Sequence, residues 1–328
     1  MVSEAAIEAA GRLIREGGLV AMPTETVYGL GANALDAEAV ARVFAAKARP
    51  SFDPLIVHVA DMESAWALAD LDAVPAASRP LVRVLADVFW PGPLTMVLPK
   101  RGVIPGVVTS GLKTVGLRVP AHPVALALIE AADRPIAAPS ANVFGGISPT
   151  RAEHVTVPCD AVLDGGPCST GMESTVVGFD PGASESGVVV LRLGGTSTEA
   201  IEQVVGGAVA VAKPGEKIAS PGMLERHYAP RTPLRIVERS NYQAIDIKGQ
   251  KIGRLSLRGE AIDGALEFTA HEVLDPQGDL TAAAARLFEA MHRLDDTGLD
   301  LIVAELVADV GLGRAINDRL RRAAVQGK

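Results

Sequence analysis

The chain has 328 residues, 48% hydrophobic and 21% charged, with a net charge of −8. That length holds about two domains of ordinary size, and the composition excludes a disordered chain. The acidity argues against a general polyanion-binding surface, so any phosphate site must be a local cluster of cations. No apolar run approaches the roughly 18 residues of a membrane span.

The first eighteen residues carry Glu4, Glu8, Arg12, Arg15 and Glu16, which is wrong for a signal peptide. They predict an amphipathic helix capped by Ser3 and stopped by Gly17-Gly18. Leu19-Val20-Ala21-Met22 predicts a short buried strand, followed directly by Thr24, Glu25 and Thr26, then Tyr28, Gly29 and Gly31. The glycines let the backbone turn tightly or approach a ligand closely. Hydroxyls and a carboxylate at a strand end are the composition of a small-molecule site in an α/β fold; a polar turn with a buried tyrosine is the alternative. Ala37 to Ala48 predicts a helix ended by Pro50, with Lys47 and Arg49 at its exit, where cations also suit the helix dipole. Pro54 to Val59 predicts a strand with His58 inside it, which composition alone reads as a core histidine.

Helices are expected at 61–70 and 76–89, a turn at Trp90-Pro91-Gly92-Pro93, and strands at 94–98 and 114–120. Arg118 interrupts the second of these strands. A helix at 124–132 leads through Pro135–Pro139 to Ser140-Ala141-Asn142 and a loop containing Ser148. Further strands are expected at 161–163, 174–179 and 188–193, the last carrying Arg192, with a helix from Thr198 to Val205. From Val211 to Pro233 the periodicity stops and prolines accumulate, which marks an interdomain linker. The linker contains Met223, His227 and Tyr228, and such side chains need something to pack against. Packing between domains and a lid over a site are the two readings. Beyond it, strands at 234–237, 252–257, 266–269 and 301–307 alternate with helices at 281–294 and 314–324, which predicts a small α/β domain. Gly311-Leu312-Gly313 lacks the third glycine of a dinucleotide fingerprint. Cys159 and Cys168 form neither a CxxC pair nor a disulfide framework and read as reduced thiols, which favours the cytoplasm.

Lys47, Arg49, Arg118 and Arg192 thus stand at strand and helix ends of an acidic chain. Buried cations are costly unless paired, few carboxylates occur in these strands, and an anionic ligand is the simpler partner. There is no P-loop and no nucleophile elbow. The residues alone therefore point to binding of a nucleotide or other polyanion together with a small polar ligand.

Pro23-Thr24-Glu25-Thr26-Val27-Tyr28-Gly29-Leu30-Gly31, Lys47-Ala48-Arg49-Pro50, Pro54-Leu55-Ile56-Val57-His58, Ser140-Ala141-Asn142 and Gly171-Met172-Glu173-Ser174-Thr175-Val176-Val177 closely resemble the threonylcarbamoyl-AMP synthase family. Ser220-Pro221-Gly222-Met223 and His227-Tyr228-Ala229-Pro230 resemble the linker of its long form. The resemblance implies an α/β fold: a twisted mixed-sheet YrdC-like domain over 1–210, a linker over 211–233 acting as a lid, and a smaller Rossmann-like domain over 234–328. It implies synthesis of threonylcarbamoyl-AMP and pyrophosphate from L-threonine, bicarbonate or CO2, and ATP, the product passing to a complex that modifies tRNA beside the anticodon.

The resemblance also implies threonine contacts at Thr26, His58, Arg118, Ala138 and Ser174. ATP contacts are implied at Arg49, Asp53, Thr114, Ser140, Asn142, Ser148, Arg192 and Tyr228, with Lys47 and Arg49 as catalytic cations. Asp53 stands where the family usually has Asn, and Leu224 where a Lys is common. Mg²⁺ is expected to arrive on ATP, since no carboxylate pair is dedicated to metal and Glu173 is the nearest candidate. A cytoplasmic protein with no membrane contact and weak or no direct tRNA binding is expected. An RNA-binding or ribosome-maturation module is the alternative, opposed by the charge and by 4% aromatics. A carbamoyl transferase using carbamoyl phosphate is a third reading, opposed by the intact linker.

Overall fold

A computed structural model describes residues 2–213, 227–238, 242, 249–262 and 267–325. The first region runs α1 (Glu4–Arg15), β1 (Val20–Met22), β2 (Gly29–Asn33), α2 (Ala37–Lys47), β3 (Ile56–His58), α3 (Met62–Leu68), α4 (Arg79–Phe89), β4 (Leu94–Pro99) and β5 (Thr114–Arg118). It continues through α5 (Pro123–Ala132), β6 (Ile136–Ala137), β7 (Ala161–Val162), β8 (Thr175–Phe179), β9 (Val188–Arg192), α6 (Thr198–Val205) and β10 (Ala210–Val211). Local chemistry sets these bounds. Ser3 accepts from the Ala6 N–H at 3.3 Å to start α1, and Asp36 accepts from Glu38 and Ala39 to start α2.

Among the described residues these strands form one sheet in the order β10-β9-β8-β4-β5-β3-β6-β2-β1-β7. It is mixed: β3 runs parallel to β5 and antiparallel to β6. Helices cover both faces. One face buries Ile14, Met22, Leu128 and Ile136 beneath α1 and α5, and a larger cluster holds Tyr28, Val43, Val57, Leu85 and Leu94. Each such side chain contributes about 1.5–3 kcal/mol by leaving water.

The stretch after β1 departs from the turn expected there. Gly29 and Gly31 lie inside β2, and a Cβ on Gly31 would sit 2.8 Å from Ile136 Cγ2. The glycine therefore serves close packing within the sheet and not a tight turn. The sheet also takes in Val211, the first residue of the stretch read as linker, which with Ala210 pairs parallel to β9.

The second region contains β11 (Leu234–Ile236), β12 (Ile252–Ser256), β13 (Ala270–Val273), α7 (Leu280–Asp295), β14 (Leu301–Ala304) and α8 (Gly313–Ala323). Its sheet is parallel, in the order β11-β14-β12-β13. The strand expected at 266–269 falls instead at 270–273. Phe268 is taken up by packing against Tyr242 at 5.8 Å, and the edge strand has the polar pattern Ala-His-Glu-Val.

The two regions share an interface. Gly171, at φ +62°, lies against α7, where a Cβ would collide with the Ala285 carbonyl at 2.1 Å. His154 and His292 stack at 3.9 Å, and Arg151 pairs with Glu289 at 3.0 Å. Val27, Ile147, Met172 and Tyr228 join a core cluster otherwise built from the second region. No helix among the described residues is long and apolar enough to cross a membrane.

Candidate active site

A cavity of about 60 Å³ opens where the ends of β3, β5 and β9 meet the β1–β2 connection. Three arginines and one glutamate line it: Arg49, Arg118, Arg192 and Glu173. Two of these arginines have a buried counter-ion behind the wall, Arg118 with Glu25 and Arg49 with Asp53.

Arg118 leaves the end of β5 and is 3% exposed. Its Nε donates to the Gly92 carbonyl at 3.1 Å and its Nη1 to Thr26 Oγ1 at 2.9 Å. Its Nη2 lies 2.5 Å from Glu25 Oε1. That contact neutralises charge but misses hydrogen-bond geometry, so Nη2 and both Glu25 oxygens lack hydrogen-bond partners. Thr24 accepts from Thr26 and Val27 N–H groups and shares a 2.7 Å hydroxyl contact with Thr26. The hydroxyl carboxylate cluster read from the sequence is thus a rigid collar around one arginine. Beside it, burial and then the Arg118 charge push His58 down to about 3, so its ring is neutral. His58 lines this same cavity, and its Nδ1 is buried with no hydrogen-bond partner. The expectation of few acidic partners is corrected here: Glu25 lies outside any strand, where a strand-by-strand count misses it.

Arg49 is fixed by Asp53, with Nη2 2.8 Å from Oδ2 and Nε donating to the Asp53 carbonyl at 3.1 Å. Burial lowers the Arg49 pKa and the Asp53 charge opposes that shift. Asp53 is therefore the counter-ion of Arg49 as well as a negative charge near the site. Lys47 does not line the cavity. It is 1% exposed, and its ammonium donates to the Ser140 and Asn142 carbonyls. Burial, then the neighbouring Arg49, lowers its pKa well below that of an ordinary lysine. Its place is behind Ser140, holding that loop against α2, and a substitution there disturbs the fold of the loop as well as any chemistry. Asn142 closes the loop by donating to the Val143 and Gly146 carbonyls at 2.9 Å.

On the opposite wall, Arg192 donates from Nε and Nη2 to the Ser174 carbonyl at 3.1 and 2.8 Å and to Ser174 Oγ at 3.0 Å. Ser174 Oγ also meets Thr95 Oγ1 at 2.8 Å. Ser148 donates to Glu173 Oε1, and Glu173 Oε2 accepts from Arg319 at 3.0 Å. Tyr228 forms the cover. It is 1% exposed, adopts φ +64°, and lies between Phe288, His227 and Arg319. This residue packs on the second region and also lines the cavity.

The structure thus gathers Thr26, Arg49, His58, Arg118, Ala138, Ser140, Ser174, Arg192 and Tyr228 around one cavity. Lys47, Asp53, Asn142 and Ser148 stand one layer behind that wall. Thr114 is apart from them: it pairs with Pro99 at the other end of β5 from Arg118, roughly 13 Å along the strand. Met223 and Leu224, with the Ser220-Pro221-Gly222 segment, lie outside the described residues. Glu25 and His227 stand in motifs the sequence singles out, without a ligand role assigned to either, and Arg319 carries no sequence signal, because it lies 126 residues from the Leu193 carbonyl it reaches.

The expected Mg²⁺ finds no dedicated donor set. No group of three or more His, Cys, Asp or Glu among the described residues could hold a metal ion. Glu25, Asp53 and Glu173 are each engaged by an arginine. Both cysteines are free thiols, and burial pushes Cys168 up to about 12.

Fold and cavity together define a two-region α/β protein with an arginine-lined cavity at its strand ends, where the two regions meet. Residues 12–194 match a family model described as telomere recombination, and residues 196–325 match the model of the threonylcarbamoyl-AMP synthase C-terminal domain. A threonylcarbamoyl-AMP synthase of Pyrococcus abyssi is 43% identical over 98% of this chain and 95% of its own. One from Bacillus subtilis is 42% identical over 97% and 92%. The crystal structure of P. abyssi Sua5 complexed with L-threonine superposes with a TM-score of 0.88 at 42% identity, covering 99% of this chain and 95% of the other. The chain belongs to the threonylcarbamoyl-AMP synthase family.

Proposed function

We propose that this protein makes threonylcarbamoyl-AMP and pyrophosphate from L-threonine, bicarbonate or CO2, and ATP. The observation that carries the reading is the buried Arg118–His58 corner, a fixed cation beside a neutral imidazole, each with a polar atom lacking a hydrogen-bond partner. An amino acid can give Arg118 Nη2 a hydrogen-bonding carboxylate, in competition with the Glu25 carboxylate paired there, and can give His58 a donor.

The cavity of about 60 Å³ has room for roughly four to six water-sized groups. That is tight even for a small amino acid and too small for a nucleotide. ATP therefore enters when the His227–Tyr228 cover moves, and its phosphates lie toward Arg49 and Arg192, with Ser140 on the nucleoside side. The threonine amine attacks CO2, a C–N bond forms as one C=O π bond opens to an oxygen anion, and the amine proton passes to solvent; from bicarbonate a C–O bond breaks instead and the amine proton leaves with hydroxide as water. A carbamate oxygen then attacks the α-phosphorus, a P–O bond forms, the bond to the β-phosphate oxygen breaks, and pyrophosphate leaves. The protein holds reactants in line and neutralises charge, which needs no covalent intermediate. Magnesium accompanies the ATP phosphates, and no step is assigned to it. Product passes to a complex that transfers the threonylcarbamoyl group to tRNA, and the protein works in the cytoplasm.

Thr26, Ala138 and Ser174 enclose the threonine side chain in this account. Serine, lacking the methyl group, is then expected to react with a lower kcat/KM, by roughly 1–3 kcal/mol or about 5- to 150-fold. Pyrophosphate release measured with each amino acid checks this, and equal values contradict a pocket fitted to threonine.

A further inference from the structure

We infer that Arg319, on α8 of the second region, is a positioning residue that holds Tyr228 in place over the nucleotide side of the cavity. The inference rests on the function proposed above. Arg319 is 0% exposed, and each of its three guanidinium nitrogens donates a hydrogen bond. Nε donates to Glu173 Oε2 at 3.0 Å, Nη2 to the Leu193 carbonyl at 2.8 Å and Nη1 to Asp318 Oδ2 at 2.6 Å. Its central carbon lies 4.7 Å from the centre of the Tyr228 ring.

Two of these contacts, with Glu173 and the Tyr228 ring, end at the cavity wall, the Leu193 carbonyl is one residue from it, and Asp318 is the neighbour of Arg319 on α8. Glu173 and Tyr228 line the cavity, and Leu193 follows Arg192, which also lines it. One side chain therefore ties together the first region, the linker and the second region where all three meet the site. A buried ion pair seldom adds net stability over an apolar replacement of the same volume, so stability alone is a weak reason for this arginine. Its planar fork can hold a carboxylate and a carbonyl in the guanidinium plane while its face carries an aromatic ring. An ammonium cannot hold all three in that geometry. Tyr228 stands in a left-handed backbone conformation at φ +64°, which persists only where surroundings over-determine it. Arg319, Phe288 and His227 supply those surroundings.

Among the described residues no direct hydrogen bond or ion pair joins Arg118 or Glu25 to Arg319, Glu173 or Tyr228, so the two ligands are expected to respond differently. In full-length protein, Arg319→Gln is expected to weaken ATP binding, measured by calorimetry, at least tenfold while L-threonine binding without ATP stays within threefold. In a Tyr228→Leu background, adding Arg319→Gln is expected to change ATP affinity less than twofold, because the arginine acts through the ring already removed. If Arg319→Gln does not fold, Arg319→Lys, which keeps a positive charge beside Glu173, is expected to give the same split. Equal losses for both ligands, unchanged ATP affinity, or additive losses in the double variant would overturn the inference. Wild-type protein that binds threonine but no ATP would instead overturn the functional reading, and this one with it.

Discussion

Replacing Arg118 by lysine is expected to weaken L-threonine binding by about 30-fold or more, near 2 kcal/mol, while ATP binding stays within about threefold. The guanidinium is held at three points, by Gly92, Thr26 and Glu25, and presents a fork in a fixed plane. A lysine keeps the charge but loses the paired donors that match a carboxylate. It also leaves the Gly92 carbonyl or the Thr26 hydroxyl without its partner. Calorimetric titration with each ligand separates the alternatives. Unchanged threonine affinity with weakened ATP binding would reassign this arginine to the nucleotide.

Replacing Tyr228 by leucine is expected to raise the dissociation constant for ATP about 5- to 150-fold, the 1–3 kcal/mol of a lost aromatic stacking contact. Leucine is the variant of choice because Tyr228 is 1% exposed and packs within a core cluster. Alanine there would leave a cavity costing about 3–5 kcal/mol, which would confuse lost binding with lost stability. Threonine affinity measured without ATP should change little. A thermal melt within a few degrees of wild type confirms that the fold is kept. Unaltered ATP affinity in a folded Tyr228→Leu protein would reduce the cover to interdomain packing.

The sequence foretold most helices and the strand ends carrying Arg118, His58 and Arg192, because those elements have clear periodicity and the polar residues interrupt apolar runs. It did not foretell β2. Its Gly-Leu-Gly-Ala-Asn sequence lacks β-branched residues and forms a strand only because neighbouring strands need a chain with almost no side chain beside Ile136. Lys47 was placed at the site because a cation at a helix exit looks available. Whether its ammonium faces a ligand or two backbone carbonyls depends on a loop 93 residues away. The pairing of Arg319 with Glu173 spans 146 residues. Such contacts are set by how the second region docks, and no local pattern encodes them. Asp53 is the opposite case: its partner Arg49 is four residues away, but the spacing became informative only once both were seen to be buried.

The central claim is that one cavity joins threonine, a one-carbon unit and the adenylate of ATP. Incubating the full chain with L-threonine, isotopically labelled bicarbonate and ATP, and analysing products by mass, tests it most directly. The account predicts threonylcarbamoyl-AMP carrying one labelled carbon, formed in equal amount with pyrophosphate and absent when any one substrate is omitted. Threonyl-AMP without the label, ADP with phosphate in place of AMP chemistry, or product formed from carbamoyl phosphate but not from bicarbonate would contradict it.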